Sequence, residues 1–160
     1  MATDRAADTG ELVPTSVDER THAELIHLYR ESADSIRFAK SQQWKTLGTS
    51  LLTFGALLII REAFRDNIWF MKAMFTVSIL LAGAAIYTLV IYQVWQNTER
   101  EKIAKISAHF SSLSREIRAI KSDRESNVFR YILLVFLIAG VLIGCMIALT
   151  AYAPYIQTPA

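Results

Sequence analysis

Three runs without a single charged residue constrain this chain more than any other feature: Thr46 to Ile60, Ala73 to Thr98, and Tyr131 to the C-terminus. All seventeen Lys and Arg and all fifteen Asp and Glu lie before or between them. A hydrocarbon layer about 30 Å thick takes roughly 20 helical residues to cross at about 1.5 Å each. The second and third runs exceed that length. The first has 15 residues, and Lys45 and Arg61 at its ends can lay their alkyl stems along apolar surface and carry their charges to the two interfaces. Three such runs in 160 residues leave too little polar sequence to cover them in water. The expectation is an all-α integral membrane protein with three transmembrane helices, at 46–60, 73–95 and 130–153.

The charges between the runs predict an orientation. The segment up to Lys45 carries six Lys and Arg, the connector 61–72 carries three, the segment from Gln96 to Arg130 carries eight, and the tail after Tyr152 carries none. Positive residues stay on the cytoplasmic side. The N-terminus and the 96–129 segment are therefore expected in the cytoplasm, and the 61–72 connector and the 154–160 tail outside the plasma (inner) membrane. Trp and Tyr favour the headgroup level. Trp44, Trp95 and Tyr131 are expected as anchors at the inner ends, and Trp69, Tyr152 and Tyr155 at the outer ends. Met1 to Pro14 is polar and acidic with no apolar core, so no cleavable signal peptide is expected and the first span directs insertion.

Outside the spans the pattern is helical. Ser16 and Glu19 fit a capping box after Pro14, predicting a disordered 1–15 tail and a cytoplasmic helix over 16–45 that runs on into the first span. Leu25, Tyr29, Ser32, Ile36 and Ala39 share one of its faces. Between the second and third spans, Ile103, Ile106, Phe110, Leu113, Ile117 and Ile120 are spaced 3, 4, 3, 4, 3, with Lys105, Arg115 and Arg118 on the opposite side. The 96–129 segment is thus an amphipathic cytoplasmic helical segment.

Its reach is limited. One helix from Gln96 to Ser122 would be about 40 Å long, and seven extended residues from Asp123 to Phe129 return only about 24 Å towards the bilayer. A perpendicular rod would have to bend. The remaining solutions are a hairpin turning at Ser111, Ser112 and Ser114, or a tilted or surface-lying helix that also contacts the N-terminal helix. The latter is preferred. The basic face would then meet anionic inner-leaflet lipid, at about 1 kcal/mol per cation near the surface. The apolar stripe serves equally well as a helix-packing seam.

The chemistry-bearing patterns are few. A phosphate-binding glycine loop, a nucleophile elbow, H-E-x-x-H and paired cysteines are all missing from the sequence. Glu24 and His27 form one E-x-x-H without the second copy and further glutamates of a di-iron bundle. His22 and His27 are poorly spaced for shared ligation, and His109 stands alone on the polar side of its helix; the alternatives are a solvated helix face and a pH response. Cys145 lies within the third run as a small packed residue. No enzyme activity, cofactor, metal or nucleic-acid partner is expected. Within the spans the polar residues are Ser, Thr, Gln and Tyr, including Thr49, Ser50, Thr53, Thr76, Ser78 and Thr88, which argues against a single-chain transporter. Gly140, Gly144 and Ala148 recur every four residues and form a helix-packing groove for a span of this chain or of a neighbouring copy.

A helix before the membrane (Leu25 to Trp44), a tight two-span hairpin through Arg61 to Lys72, and the charged helix start Gln96-Asn97-Thr98-Glu99-Arg100-Glu101-Lys102 together resemble the SLATT-type bacterial membrane proteins. The resemblance covers roughly residues 20 to 110, is one of layout, and brings no functional residue with it. The third span departs from the usual two-span layout. The resemblance implies a membrane effector of nucleotide-activated defence. From the residues themselves, the expectation is a non-enzymatic membrane scaffold or accessory subunit acting through helix contacts, as a homo-oligomer or with other membrane subunits. The alternative is a regulated membrane-perturbing or pore-forming effector with the cytoplasmic helices as sensor.

Overall fold

The computed structural model describes residues 17–110 and 123–156, with side chains for all of these except 123–127. The expected 1–15 tail, Ser16, the turn serines, Leu113, Ile117, Ile120, Arg115 and Arg118 lie outside the described residues. Among those described, the fold is three long helices and no strand: α1 Glu19–Ala63, α2 Ile68–Ser107 and α3 Asp123–Ile156. All three are long and apolar enough to cross a membrane.

Helix α1 begins two residues later than the Ser16 capping box predicts. Its N-cap is Asp18, whose carboxylate accepts the Thr21 backbone N–H at 3.2 Å, a stronger cap than a hydroxyl because the acceptor is ionised. The helix then runs unbroken for 45 residues through Lys45 and into the first uncharged run. The 61–72 connector shrinks to four residues, 64–67. Phe64 N–H donates to Arg61 O and Asn67 N–H to Phe64 O, Asn67 Oδ1 accepts from Phe70 N–H at 3.0 Å, and Phe64 packs on the Phe70 ring. Charge marks where a run ceases to be apolar, but with no Gly or Pro between Arg61 and Lys72 the helices continue past it.

The 96–129 segment differs most from expectation. Residues 96–107 are the continuation of α2, straight out of the second apolar run. The helix closes through successive three-residue turns, with Ala108, His109 and Phe110 N–H donating to Lys105, Ile106 and Ser107 carbonyls. The chain leaves α2 at Ser107, before the serines expected to turn it. At the other side, α3 already begins at Asp123, so 123–129 is helical rather than extended. It also runs past 153 to Ile156.

Each helix buries one stripe. Ala39, Gln43, Leu47, Ser50, Phe54 and Leu57 of α1 face Ser78, Ala82, Ala85, Leu89, Gln93 and Gln96 of α2, and Leu137, Val141, Cys145, Ala148 and Tyr152 of α3 close the bundle. These steps of three and four residues keep one face of each helix inward. The many small residues let the backbones approach closely. Outside the stripe, large apolar side chains such as Leu52, Ile59, Leu80, Val135 and Phe136 stand exposed around the bundle, a surface suited to hydrocarbon.

Candidate functional site

Polar side chains gather where α1 and α2 leave the apolar bundle. Gln43 comes from the α1 stripe, and Gln93, Gln96 and Asn97 stand at i, i+3 and i+4 on α2, so that one helical face presents all three to its neighbours. Gln96 Nε2 donates to Gln43 Oε1 at 2.8 Å. Gln43 Nε2 donates to Leu89 O at 3.1 Å and, more distantly, to Gln93 Oε1 at 3.5 Å. Gln93 Nε2 reaches Asn97 Oδ1 at 3.3 Å, and the same oxygen accepts Arg130 Nη1 of α3 at 3.0 Å. The amides are inside the protein, Gln43 only 2% and Gln96 only 1% exposed. A chain of hydrogen bonds thus ties all three helices at one level. Satisfied buried amides hold register, because a slip leaves a donor or acceptor unpaired.

One turn further along α2, Glu99 is buried and accepts Lys102 Nζ at 2.7 Å. The Lys102 hydrogen bond, with help from the Ser32 hydroxyl on α1, holds its carboxyl below the usual range against the opposing effect of burial. Arg100 points the other way. Its Nε is buried with no hydrogen-bond partner, and burial, followed by the charge of Arg130, draws its guanidinium below the ordinary range. Lys40, Arg100 and Arg130 line a half-open cavity of about 370 Å³ together with Gln43, Gln93, Gln96, Phe129 and Leu133. Each helix contributes one cation.

A second feature lies along the apolar part of the bundle, on the outer side of the α1–α2 contact. Thr46, Thr49, Ser50 and Thr53 of α1 and Ala84, Ala85 and Thr88 of α2 line a shallow groove of about 440 Å³. Thr46, Ser50, Thr53 and Thr88 each donate to the backbone carbonyl four residues earlier, so their donors are satisfied while their oxygens still accept.

The residues singled out by sequence distribute as follows. Gly140, Gly144 and Ala148 form a groove filled from within the chain: a Cβ on Gly140 would lie 3.0 Å from Leu47 Cδ1, and one on Gly144 would lie 2.7 Å from Leu51 Cδ2 and 3.0 Å from Phe54 Cδ2. Ile103 and Ile106 are buried, and Phe110 meets His22 and Tyr29 at ring distances of 5.8 and 6.0 Å. The start of the amphipathic stripe therefore faces the Leu25 to Ala39 face of α1. Lys105 is on the outside, paired with Glu101. Trp44, Trp69, Trp95 and Tyr131 are all exposed, with Trp95 against Phe38 and Tyr92.

Tyr152 is a correction. Expected as an interface anchor, it is fully buried, and its hydroxyl donates to Leu57 O at 2.7 Å. Its place at the end of a charge-free run suggested a belt position, but its step of four from Ala148 puts it on the core stripe. The neighbouring Tyr155 carries the outward contact, with the Arg61 guanidinium 5.7 Å over its ring.

Sequence reasoning missed the glutamines, Arg100 and Arg130. The spacing of Gln93, Gln96 and Asn97 inside an otherwise apolar and aromatic stretch was the available signal. Among the described residues no three His, Cys, Asp or Glu side chains come together as a metal site would require. What the arrangement offers is hydrogen-bonded packing and a concentration of positive charge. No protein-family model, curated protein or solved structure matches this chain.

Proposed function

We propose that this chain is a multi-pass integral membrane protein without an enzymatic reaction of its own, a scaffold or accessory subunit that associates with a second copy along the α1–α2 groove. The observation that carries this reading is the row of hydroxyls and alanines between Thr46 and Thr53 on α1 and Ala84 and Thr88 on α2, on the side of the bundle left bare by α3. Hydroxyl oxygens facing lipid gain nothing, whereas across a helix interface they accept hydrogen bonds and small side chains allow close approach. The Gly140–Gly144–Ala148 groove is occupied within the chain, whereas the α1–α2 groove is a small-residue surface still open to assembly. The Lys- and Arg-rich end, with Trp44, Trp95 and Tyr131 at its border, faces the cytoplasm on this reading.

Two measurements test it. Molar mass in mild detergent by light scattering should exceed that of one chain and fall to one chain in the Thr49→Leu/Ala84→Leu variant; a monomeric wild type sinks the proposal. In a Cys145→Ser background, single cysteines at His27 and at Asp66 should react with an impermeant maleimide from opposite sides of the membrane. Labelling of both from one side refutes the topology.

The same hydroxyl row favours one second reading, in which several copies turn their threonines inward around a narrow pore. Expression in cells loaded with a membrane-potential dye separates the two. Depolarisation that Thr49→Leu abolishes supports the pore, and a steady potential supports the scaffold.

A further inference from the structure

We propose that a second copy completes an anion site on the α1–α2 groove, where the Lys45 ammoniums of the two copies share the phosphate of an anionic lipid headgroup, so that association along this face depends on that lipid. The inference deepens the assembly reading above and rests on it. Lys45 is exposed and lines the groove beside Gln42, Thr46 and Thr49. Among the described residues no carboxylate pairs with it. The groove lining contains no Asp or Glu, and the sequence has none between Asp34 and Glu62 on α1 or between Asp66 and Glu99 across α2. At about 1.5 Å per helical residue, Asp34 lies roughly 16 Å along α1 from Lys45, and Glu62 lies farther. Glu99 is buried and already holds Lys102.

Symmetry turns this gap into a requirement. Two copies inserted in a bilayer with the same orientation are related by a two-fold axis along the membrane normal, so each residue meets its counterpart at one depth. The second copy therefore brings another Lys45 and no carboxylate to the level where one is missing. Packing through Thr49, Ala84 and Thr88 draws the helices close. Like charges brought together beside an apolar body repel more strongly than in water. The hydroxyl oxygens of Thr46 and Ser50 can solvate an ammonium, but they cannot cancel its charge. An anion between the two lysines removes the repulsion and accepts hydrogen bonds from both.

Depth selects a lipid as its source. Phe38 stands four residues before Gln42, and Tyr92 four after Thr88, so both continue the groove's faces towards the Lys- and Arg-rich end. There the Phe38 and Trp95 rings meet at 6.0 Å and those of Tyr92 and Trp95 at 6.2 Å. Such rings favour the headgroup level. Lys45 lies on the apolar side of them, with Trp44 exposed beside it. A lipid phosphodiester reaches that depth while its acyl chains stay in the hydrocarbon faced by Leu52 and Leu80. A soluble anion would have to leave water to arrive there.

The test uses the full chain in neutral detergent. The dissociation constant of the dimer is measured by light scattering over a dilution series, with phosphatidylglycerol, phosphatidylcholine or inorganic phosphate added separately. Phosphatidylglycerol is expected to tighten the wild-type dimer by about tenfold, and the other two additions to leave it unchanged. Lys45→Gln removes the repulsion together with the site. Its dimer should be tighter than wild type without lipid and indifferent to phosphatidylglycerol. Lys45→Arg should keep the lipid response, as should Lys105→Gln, which removes a cation from the outside of α2. Circular dichroism shows that each variant is folded. A wild-type dimer that phosphatidylglycerol does not tighten overturns the site and leaves the assembly reading standing. Equal tightening by phosphatidylcholine or by inorganic phosphate overturns the anionic-lipid assignment. A Lys45→Gln dimer that still tightens with phosphatidylglycerol, or that is weaker than wild type without it, overturns the role of Lys45. A chain that stays monomeric in every arm, Lys45→Gln included, overturns the assembly reading and the site with it.

Discussion

Gln96 donates its side-chain amide to Gln43 at 2.8 Å across the α1–α2 contact, with both side chains almost wholly shielded. Each glutamine is the other's answer to burial. Replacing Gln96 with Ala should cost about 1–3 kcal/mol, because the Gln43 oxygen is left without its donor; if the unfolded chain finds other partners in detergent or lipid, the figure falls towards about 0.6 kcal/mol. The Gln43→Leu/Gln96→Leu double variant should be closer to wild type than either single variant. Unfolding by titration with a denaturing detergent, arranged as a double-mutant cycle, measures the coupling, and strictly additive losses would show that the pair does not interact.

The glycines divide into two groups by what surrounds them. A Cβ on Gly144 meets Leu51 and Phe54 at 3.0 Å or less, whereas one on Gly55 meets nothing within 4 Å. Gly144→Val should therefore separate α3 from α1 and lower the unfolding temperature sharply. Gly55→Ala should leave it unchanged or raise stability by about 0.5–1 kcal/mol through the higher helix propensity of alanine. A stabilised Gly144→Val protein would contradict the α1–α3 packing.

Tyr152 gives a graded series. Leu57 O is positioned to accept within α1, so the hydroxyl bond from Tyr152 adds to a carbonyl that does not depend on it. Tyr152→Phe is expected to lose about 1 kcal/mol. Tyr152→Ala removes a ring with no exposure and should lose several times as much, about 3–5 kcal/mol, through the cavity it leaves. Equal losses for the two substitutions would place the whole effect in the hydroxyl and contradict the packing.

Acid should act on the extension beyond the apolar bundle through Glu99. Its folded pKa lies below the ordinary value of 4.5, chiefly through the Lys102 hydrogen bond. The group therefore contributes stability that is fully present above about pH 4.5 and is lost as pH falls through the lower folded value. Little change is expected between pH 7 and 5. Below that, hydrogen exchange of the α2 amides near Ile103 should accelerate, and Glu99→Gln should show faster exchange at neutral pH with a flatter acid response. Unchanged acid sensitivity in Glu99→Gln would assign the effect to another group.

The presence and order of three helices apolar and long enough to cross a bilayer were legible in the sequence because burial in hydrocarbon demands a length and a freedom from charge that few alternatives meet. Charge boundaries were a poor guide to helix ends. Arg61, Lys72 and Gln96 sit inside helices, since a charged or polar side chain changes the solvent a helix turn prefers without breaking its backbone hydrogen bonds. The Leu25 to Ala39 and Ile103 to Phe110 stripes were each visible as periodicity, yet only the bundle pairs them, through the contacts of Phe110 with His22 and Tyr29.

Composition and periodicity by themselves determined that this chain forms three long helices with apolar surfaces and a polar, cation-rich end, because those properties depend on neighbours in sequence. Tertiary structure alone decided which residues meet. It closed the Gly140–Gly144 groove with Leu47, Leu51 and Phe54, drew Tyr152 inward, linked Gln43 to residues about fifty positions away, and brought Lys40, Arg100 and Arg130 to one cavity. The physical reason is that helix rotation and register are set by packing between faces, and a single helix carries no information about what lies opposite.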